Sequence, residues 1–254
     1  MTSADFPALD PFGRALMAHW QGDRSAVLHH EFRSGRTVDL PVSLFFRGQK
    51  EFYPTEMMLD QCQGRVLVIG AGTGVHAIPL IQAGHEVTAL EVCPQAVEIL
   101  RARGIDDVRS TDFFQFRGST YDTLLMLGHN IGICGTLDRI PQLLTQCRAL
   151  LNPGGQLLVN SVDESGAADA DNQGYPGELE FRLTFDGITG PWMPWLHLGY
   201  NTLAGYAQKC GWTAQRLVAE ETGEFLARLC PRLVSDSPAD PGQSQKPGAQ
   251  KDQG

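Results

Sequence analysis

A glycine-rich turn between an apolar run and a helical pattern most constrains how this chain folds. The segment VLVIGAGTG contains Gly70, Gly72 and Gly74 at this turn. Glycine permits positive φ angles, and it lets backbone N–H groups approach a ligand without an intervening side chain. A strand, a glycine-rich turn and a helix in this order are typical of a nucleotide-binding crossover unit.

Short apolar runs alternate with helical patterns after this turn and predict an α/β fold. Parallel strands need crossover helices, so the order predicts a doubly wound, mostly parallel seven-stranded sheet with helices on both faces. Two β-type runs around Glu221–Gly223 predict a C-terminal antiparallel hairpin. The predicted strands are Arg65–Ile69, Glu86–Glu91, Val108–Thr111, Tyr121–Leu127, Gln156–Val162, Trp212–Ala219 and Glu224–Leu229, with a half-exposed strand at Leu179–Asp186; the predicted helices are Val75–Ala83, Pro94–Arg103, Leu137–Leu151 and Tyr200–Cys210.

Composition and pattern divide the chain into three zones. We expect residues 1–60 to be a helical lead-in or cap, and residues 61–232 to be the α/β domain with a substrate-side insertion near 164–198. Residues 235–254 are rich in Pro, Gly, Gln and Asp and lack large apolar residues, so we expect a disordered tail. The predicted helices of the lead-in lie near Pro11–Trp20 and Pro54–Cys62.

Charge and composition exclude several classes of protein. The chain has 20 Lys and Arg against 29 Asp and Glu, a formal net charge of −9, which argues against a nucleic acid partner. The apolar runs are too short to cross a bilayer and no secretory signal is visible, so we expect a cytoplasmic protein. The six cysteines are scattered without a C-x-x-C pair. The sequence therefore predicts reduced thiols and no metal site, and leaves the oligomeric state open.

A carboxylate ends the strand that follows the glycine-rich turn. Glu91 is placed where it can accept hydrogen bonds from the hydroxyls of a ribose. The turn and Glu91 together predict a ligand that contains adenosine. A dinucleotide fingerprint would have a glycine where this chain has Val75, which counts against an NAD-dependent oxidoreductase but leaves it as an alternative.

From about Arg65 to Val162 the chain resembles the class I S-adenosylmethionine-dependent methyltransferases, and the resemblance continues more loosely through the terminal hairpin. It rests on the segments VLVIGAGTG, GHEVTALEVCP, STDFFQF, YDTLLMLGHNIGI and LLNPGGQLLVNS. The resemblance implies a Rossmann-like methyltransferase fold, S-adenosyl-L-methionine as cofactor, and methyl transfer to a small organic acceptor at N, O or S. Family members usually carry an acidic residue where this chain has Val68. A non-catalytic partner subunit that binds the same cofactor is therefore an alternative.

The resemblance also implies roles for individual residues. The three glycines would wrap the methionine and ribose, Glu91 would hold the ribose hydroxyls, and Val92 would lie against the adenine. Asp112 would accept a hydrogen bond from the adenine amino group, beside Phe113, although an aspartate there is also typical of a simple turn. The implied cofactor-binding residues are Gly70, Ala71, Gly72, Gly74, Glu91, Val92, Asp112, Phe113, Leu127 and Gly128.

Residues after the fourth strand face the transferred methyl group in this architecture. We predict that His129 and Asn130 are catalytic, because an imidazole is suited to take a proton and an amide to orient an amine or hydroxyl. Alternatively, both side chains only hydrogen-bond the turn that they occupy. Candidates for the acceptor pocket are Phe46, Arg47, Glu51, Phe52 and Tyr53 in the lead-in, and Asp163, Tyr175, Arg182, Trp192, Trp195 and His197 in the insertion.

Overall fold

The computed structural model describes residues 6–166 and 174–232, and these ranges contain five α-helices and twelve strands. The predicted tail at 235–254 lies outside the described residues. The strands are β1 (Val27–Phe32), β2 (Thr37–Pro41), β3 (Arg65–Ile69), β4 (Glu86–Glu91), β5 (Val108–Ser110), β6 (Tyr121–Met126), β7 (Leu151–Val162), β8 (Glu178–Phe185), β9 (Ile188–Thr189), β10 (Met193–Leu196), β11 (Trp212–Ala219) and β12 (Glu224–Pro231); the helices are α1 (Asp10–Trp20), α2 (Ala77–Gln82), α3 (Pro94–Ala102), α4 (Ile140–Leu150) and α5 (Tyr200–Lys209).

Seven strands form one sheet in the order β11-β12-β7-β6-β3-β4-β5. The strands from β7 to β5 are parallel, whereas β12 pairs antiparallel with both β7 and β11. The predicted sheet and its C-terminal hairpin are therefore confirmed. In a parallel sheet the carboxyl ends of the strands lie at one edge, so the glycine-rich turn, Glu91 and the segment after β6 lie at the same edge.

Helices cover both faces of this sheet, which explains why its central strands are almost wholly apolar. Leu67 and Leu124 pack on one face against α4 and α5. Val66 and Leu125 pack on the other face against α2 and α3. Neighbouring residues of one strand thus enter two separate cores.

A second, smaller sheet corrects the prediction for the lead-in. Its order is β10-β8-β1-β2, with β9 pairing with β8, and its strands are antiparallel. The predicted helical lead-in holds α1 but is wrong between Val27 and Pro41, where β1 and β2 form a hairpin. The helix predicted at Pro54–Cys62 is two short 3₁₀ turns, Pro54–Glu56 and Leu59–Gln61. The division at residue 60 and the insertion at 164–198 stay predictions.

The small sheet packs on α1 and α3, and this packing fixes β10 over the edge of the large sheet. Leu16 of α1 and Ile99 of α3 are fully buried together with Leu183 of β8. On the other side, Trp195 of β10 covers Gly132, which lies in the 3₁₀ turn after β6. Within the described ranges, no helix has the length and apolar character needed to cross a membrane.

The contact between Gly132 and Trp195 leaves no room for a side chain. A Cβ added at Gly132 would lie 2.0 Å from the indole ring. Overpacking of this kind typically costs about 1–3 kcal/mol. We expect Gly132→Ala to lower the free energy of unfolding by that amount, as measured by urea denaturation. Gly205→Ala in α5, where a Cβ meets nothing within 4 Å, is the control; an equal loss in both variants would contradict the packing account.

Candidate active site

Glycine permits the backbone conformation of the glycine-rich turn, and one side chain holds the turn in place. Gly70, Gly72 and Gly74 have φ angles of +69°, +56° and +92°. Asn130 Nδ2 donates to the carbonyl oxygens of Ile69 and Gly70 at 3.0 and 2.8 Å. A Cβ at Gly70 would lie 2.5 Å from this nitrogen. Both amide hydrogens of Asn130 are thus used to hold the turn.

Glu91 lies beneath the turn, and its carboxylate is buried. Oε2 accepts the N–H of Gly72 at 2.8 Å, and Oε1 accepts those of Val92 and Cys93 at 2.8 and 2.9 Å. Burial raises the pKa of Glu91, and the three N–H donors, from Cys93, Gly72 and Val92, oppose that rise. The carboxylate therefore ties the end of β4 to the turn and to the start of α3.

A cavity of about 300 Å³ opens beside the turn and brings together five of the predicted cofactor-binding residues. This volume is at the lower end of the range for small-molecule pockets. The predicted residues that line the cavity are Gly70, Glu91, Val92, Asp112 and Phe113. Ala71, Gly72, Gly74, Leu127 and Gly128 do not line this cavity.

Two walls of the cavity come from segments that the sequence analysis did not connect with the cofactor. One is the stretch Phe6–Leu9 before α1, and the other is Met193–Trp195 of β10. Both reach the cavity through the small sheet and α1, so no local motif marks them.

Asp112 forms a turn contact and also lines the cavity. Its Oδ1 accepts the N–H of Phe114 at 2.7 Å, as in an aspartate turn. Asp112 also lines the cavity, together with the buried ring of Phe113. The turn contact fixes the direction of the carboxylate, so the two roles do not exclude each other.

His129 follows β6 and forms a close pair with a carboxylate that the sequence did not indicate. Its Nε2 lies 2.7 Å from Oε1 of Glu224, the first residue of β12. His129 has a φ of +59°, and its N–H donates to Oδ1 of Asn160 on β7 at 3.0 Å. The backbone contact with Asn160 and the side-chain contact with Glu224 therefore hold this imidazole at the carboxyl edge of the sheet.

Thr55 and Asn160 connect this pair to the segment before β3. Both side chains are buried. Thr55 accepts a hydrogen bond from Asn160 Nδ2 at 3.3 Å and donates to Glu224 Oε1 at 3.5 Å. Asn160 therefore contacts both the backbone of His129 and Thr55, and Thr55 in turn contacts Glu224.

His197 forms a second imidazole–carboxylate pair next to the first. Its Nδ1 lies 2.8 Å from Oε1 of Glu164, and its ring centre lies 5.2 Å from that of His129. The hydrogen bond from His197 lowers the pKa of Glu164 although burial raises it, and the charges of His197, Arg36 and His129 add to the lowering. Glu164 is thus ionised where it meets the imidazole.

A buried ion pair holds the segment before β3 against the end of the glycine-rich turn. Arg47 Nη2 lies 2.5 and 2.6 Å from the two oxygens of Glu56, and His76 Nε2 lies 3.0 Å from Oε1. Burial alone would raise the pKa of Glu56, but the hydrogen bonds and charges of His76 and Arg47 lower it to about 2. Arg47 therefore has a structural partner, and Phe52 packs on His76 with ring centres 5.2 Å apart.

The other acceptor-pocket candidates separate into two groups. Tyr175 accepts the N–H of Gly199 near the His197 pair, and Asp163 follows β7 beside Glu164. Arg182 instead pairs with Glu31 within the small sheet. Three further candidates are engaged elsewhere or exposed: Trp192 stacks under Arg33 and Arg182, Phe46 stacks on His19, and Tyr53 is 49% exposed.

A variant of Glu91 tests the prediction that this cavity binds a nucleoside. Glu91→Gln places an amide nitrogen among backbone N–H donors, so we expect the affinity for S-adenosylhomocysteine to fall by about 1–3 kcal/mol in titration calorimetry. Glu98→Gln, the same change at an exposed position of α3, is the control and should bind like the wild type. Unchanged affinity in Glu91→Gln would remove Glu91 from the site.

Comparison with known proteins agrees with this geometry. A family model described as a methyltransferase domain matches residues 66–155. A relative named ubiquinone biosynthesis O-methyltransferase, from Xanthomonas oryzae pv. oryzae, is 26% identical over 119 residues, 44% of this chain and 48% of that protein. The chain thus spans about half the length of the curated relatives it matches.

Solved structures extend the similarity over nearly the whole chain. A SAM-dependent methyltransferase from Bacteroides fragilis, crystallised with S-adenosylhomocysteine, is 32% identical with a TM-score of 0.80, covering 89% of this chain and 97% of that one. The CcbJ methyltransferase from Streptomyces caelestis is 16% identical with a TM-score of 0.56, covering 74% and 93%, and shares the fold. This chain belongs to the class I S-adenosylmethionine-dependent methyltransferases.

Proposed function

We propose that this chain methylates a small organic acceptor that enters over the carboxyl ends of β6 and β7. The pair of His129 and Glu224 carries this proposal, because it places an imidazole beside the glycine-rich turn where a proton can be taken from the acceptor. Family membership favours this function over the NAD-dependent oxidoreductase and over a non-catalytic binding subunit.

Two sets of residues would take part in binding the cofactor: one would contact it, and the other would hold the glycine-rich turn in shape. S-adenosylmethionine supplies, when bound, a methyl group on a positively charged sulfur. Gly70, Glu91, Val92, Asp112 and Phe113, which line the cavity, would hold its adenosine portion. Asn130 would keep the turn in the shape that receives the ligand, because its amide donates to two carbonyl oxygens of the turn.

His129 would take the proton that a protic nucleophile loses. A carboxylate accepts hydrogen bonds, so the contact with Glu224 would place the hydrogen of a neutral His129 ring on Nε2 and leave the lone pair on Nδ1. After proton transfer the imidazolium would be stabilised by Glu224 at 2.7 Å. This arrangement resembles other catalytic histidines whose tautomer is fixed by a second group.

Methyl transfer itself tests the proposal. The protein is incubated with S-adenosylmethionine labelled in its methyl group and with a panel of small amines, alcohols, phenols and thiols. We expect label to enter at least one class of acceptor in step with formation of S-adenosylhomocysteine. The same mixture without the protein gives the background. Binding of the cofactor without transfer to any compound of the panel would contradict a small-molecule acceptor.

A further inference from the structure

Asn160 is a buried amide near the carboxyl end of β7, directly after three buried apolar residues. The side chain is 1% exposed. Burial of an amide costs free energy unless its polar atoms find hydrogen-bond partners. Here Oδ1 accepts the backbone N–H of His129 at 3.0 Å, and Nδ2 donates to Oγ1 of Thr55 at 3.3 Å. Both polar atoms of this amide are therefore bound to residues around the pair of His129 and Glu224.

The backbone of His129 requires a support of this kind. Gly128 and His129 have φ angles of +70° and +59°. The left-handed conformation is disfavoured for a residue with a side chain, because its Cβ comes too close to the following carbonyl oxygen. The backbone also sets the direction of the Cα–Cβ bond, so the conformation of this turn determines where the imidazole points. The hydrogen bond to Asn160 stabilises the turn in the conformation that brings the ring to Glu224.

The contact with Glu224 is by itself a weak restraint on the imidazole. The side chains of His129 and Glu224 are 27% and 21% exposed, so water competes for their polar atoms. Ion pairs that water can reach contribute little to holding two side chains in one geometry. The contact between Asn160 and the backbone of His129 is made by a side chain that water does not reach. The firmer restraint on the imidazole therefore comes from its own backbone.

Thr55 extends this support to the carboxylate. It is fully buried in the 3₁₀ turn Pro54–Glu56. Its hydroxyl accepts from Asn160 Nδ2 at 3.3 Å and donates to Oε1 of Glu224 at 3.5 Å. The same Oε1 lies 2.7 Å from Nε2 of His129. Asn160 and Thr55 together thus connect the backbone of His129 with the oxygen that its ring contacts.

We infer that Asn160 is a positioning residue for His129, and that Thr55 assists it by directing Glu224. This inference rests on the proposed function, in which His129 takes a proton from the acceptor. A displaced base loses much of its effect, because proton transfer depends on the distance between the reacting groups. Neither Asn160 nor Thr55 lines the cavity beside the glycine-rich turn, so their loss should change turnover and leave cofactor affinity unchanged.

Asn160→Leu removes both polar contacts and keeps a branched side chain. We expect kcat to fall about 10- to 100-fold with the acceptor that the labelled-methyl panel identifies, as for a misplacement of up to about 1 Å. The KM for S-adenosylmethionine should stay at the wild-type value. Gln156→Met is the matched control, because Gln156 is a buried amide earlier in the same strand and donates to the carbonyl oxygen of Gln61. Wild-type kcat in Asn160→Leu, or an equal loss in Gln156→Met, would overturn the inference.

A double-mutant cycle separates positioning from general destabilisation. The base is absent from His129→Asn, so adding Asn160→Leu to that variant should change kcat by less than about twofold. Added to His29→Asn it should cost the same factor as in the wild type, because His29 pairs with Asp39 at 2.6 Å on the exposed hairpin of β1 and β2. Additive losses of kcat with His129→Asn would show an effect that does not pass through the imidazole, and would overturn the inference.

Two variants of Thr55 test the part assigned to its hydroxyl. Valine has the shape of threonine but forms no hydrogen bond, whereas serine keeps the hydroxyl. We expect Thr55→Val to lower kcat about threefold to tenfold, less than Asn160→Leu because its contacts are longer, and Thr55→Ser to keep the wild-type kcat. Thr123→Val, which removes a buried hydroxyl bound to Gln63 in β6, is the control and should not change kcat. Equal kcat in the valine and serine variants would overturn the part assigned to Thr55.

The ring signal of His129 gives a readout that needs no acceptor. The Cε1–H signals of the histidine rings are followed by NMR in the full chain loaded with S-adenosylhomocysteine, and the signal missing from His129→Asn is assigned to this ring. We expect this signal to shift in Asn160→Leu and to keep its position in Gln156→Met. An unchanged signal in Asn160→Leu would overturn the inference. Asn160→Ala, which removes the same contacts with a smaller side chain, takes its place if the leucine variant does not fold.

Failure of this inference and failure of the proposed function give different results. Slow turnover in His129→Asn with wild-type turnover in Asn160→Leu would leave the proposed function intact and overturn the positioning role. A shifted His129 signal in Asn160→Leu, without methylation of any compound in the panel, would instead contradict the proposed function and support the assignment of Asn160 as the residue that holds the ring.

Discussion

Replacing His129 with asparagine is expected to slow methyl transfer by about 10²–10⁴-fold, the usual contribution of a positioned general base. Asparagine is the appropriate replacement because it tolerates the left-handed conformation that His129 adopts at a φ of +59°. It cannot take a proton near neutral pH. The rate is measured with the acceptor that the panel identifies, at saturating donor.

Two measurements on this variant separate an effect on catalysis from an effect on folding. We expect the affinity of His129→Asn for S-adenosylhomocysteine to equal that of the wild type, because His129 lies outside the wall of the nucleoside cavity. His29→Asn should be fully active. A His129→Asn enzyme with wild-type turnover would exclude this residue as the base. It would also exclude the proposed role of Glu224 in stabilising the imidazolium.

Glu56→Gln is expected to lower the free energy of unfolding at neutral pH by about 3–5 kcal/mol, the cost of breaking a buried ion pair from one side. The substitution keeps the shape of the side chain but leaves the buried guanidinium of Arg47 without its counter-charge. Glu86→Gln, which breaks the exposed pair with Arg65, is the control and should change stability by at most about 1 kcal/mol. Similar losses in both variants would contradict the account.

Acid should remove the same stabilisation from the wild type. The pKa of Glu56 is lowered from 4.5 to about 2, so folding favours its ionised form. Its contribution is present in full above the ordinary value and is lost as the pH falls from about 4.5 through about 2. Urea titrations across this range should therefore show a steeper decline in the wild type than in Glu56→Gln. Parallel pH curves for the two proteins would contradict this assignment.

The large sheet was predictable because each of its strands carries a local signal. Buried parallel strands read as apolar runs, and Gly70, Gly84 and Gly104 mark where elements end. The hairpin of β1 and β2 carries no such signal. Its adjacent residues His29 and His30 break the apolar–polar alternation, and the strand exists because β8 pairs with it.

The position of the cavity beside the glycine-rich turn was predictable for a similar reason. The turn, Glu91 and Asp112 follow consecutive strands of a parallel sheet, so their order along the chain places them at one edge. Val68, which differs from the usual acidic residue, is buried in the same apolar core as Phe52 of the lead-in. The sequence alone did not show that the lead-in contributes an apolar side chain to this core.

The partners of the two histidines were beyond sequence reasoning. Glu224 is separated from His129 by 95 positions and opens a hairpin that has no catalytic motif of its own. Glu164 meets His197 because the small sheet returns the chain to the edge of the large one. Asn130 was predicted to act on the acceptor, and its contacts with the turn favour the alternative that it holds the backbone.

The pairing of β1 with β8 has a consequence for the order in which the protein assembles during synthesis. The ion pair of Glu31 with Arg182 spans 151 positions, and His30 lies opposite Leu183 in the ladder. The hairpin of β1 and β2 is synthesised early. One of its edges therefore stays unpaired until β8 has left the ribosome. The cavity beside the glycine-rich turn gains its wall from β10 only at that late stage, so incomplete chains should be unable to retain a ligand there.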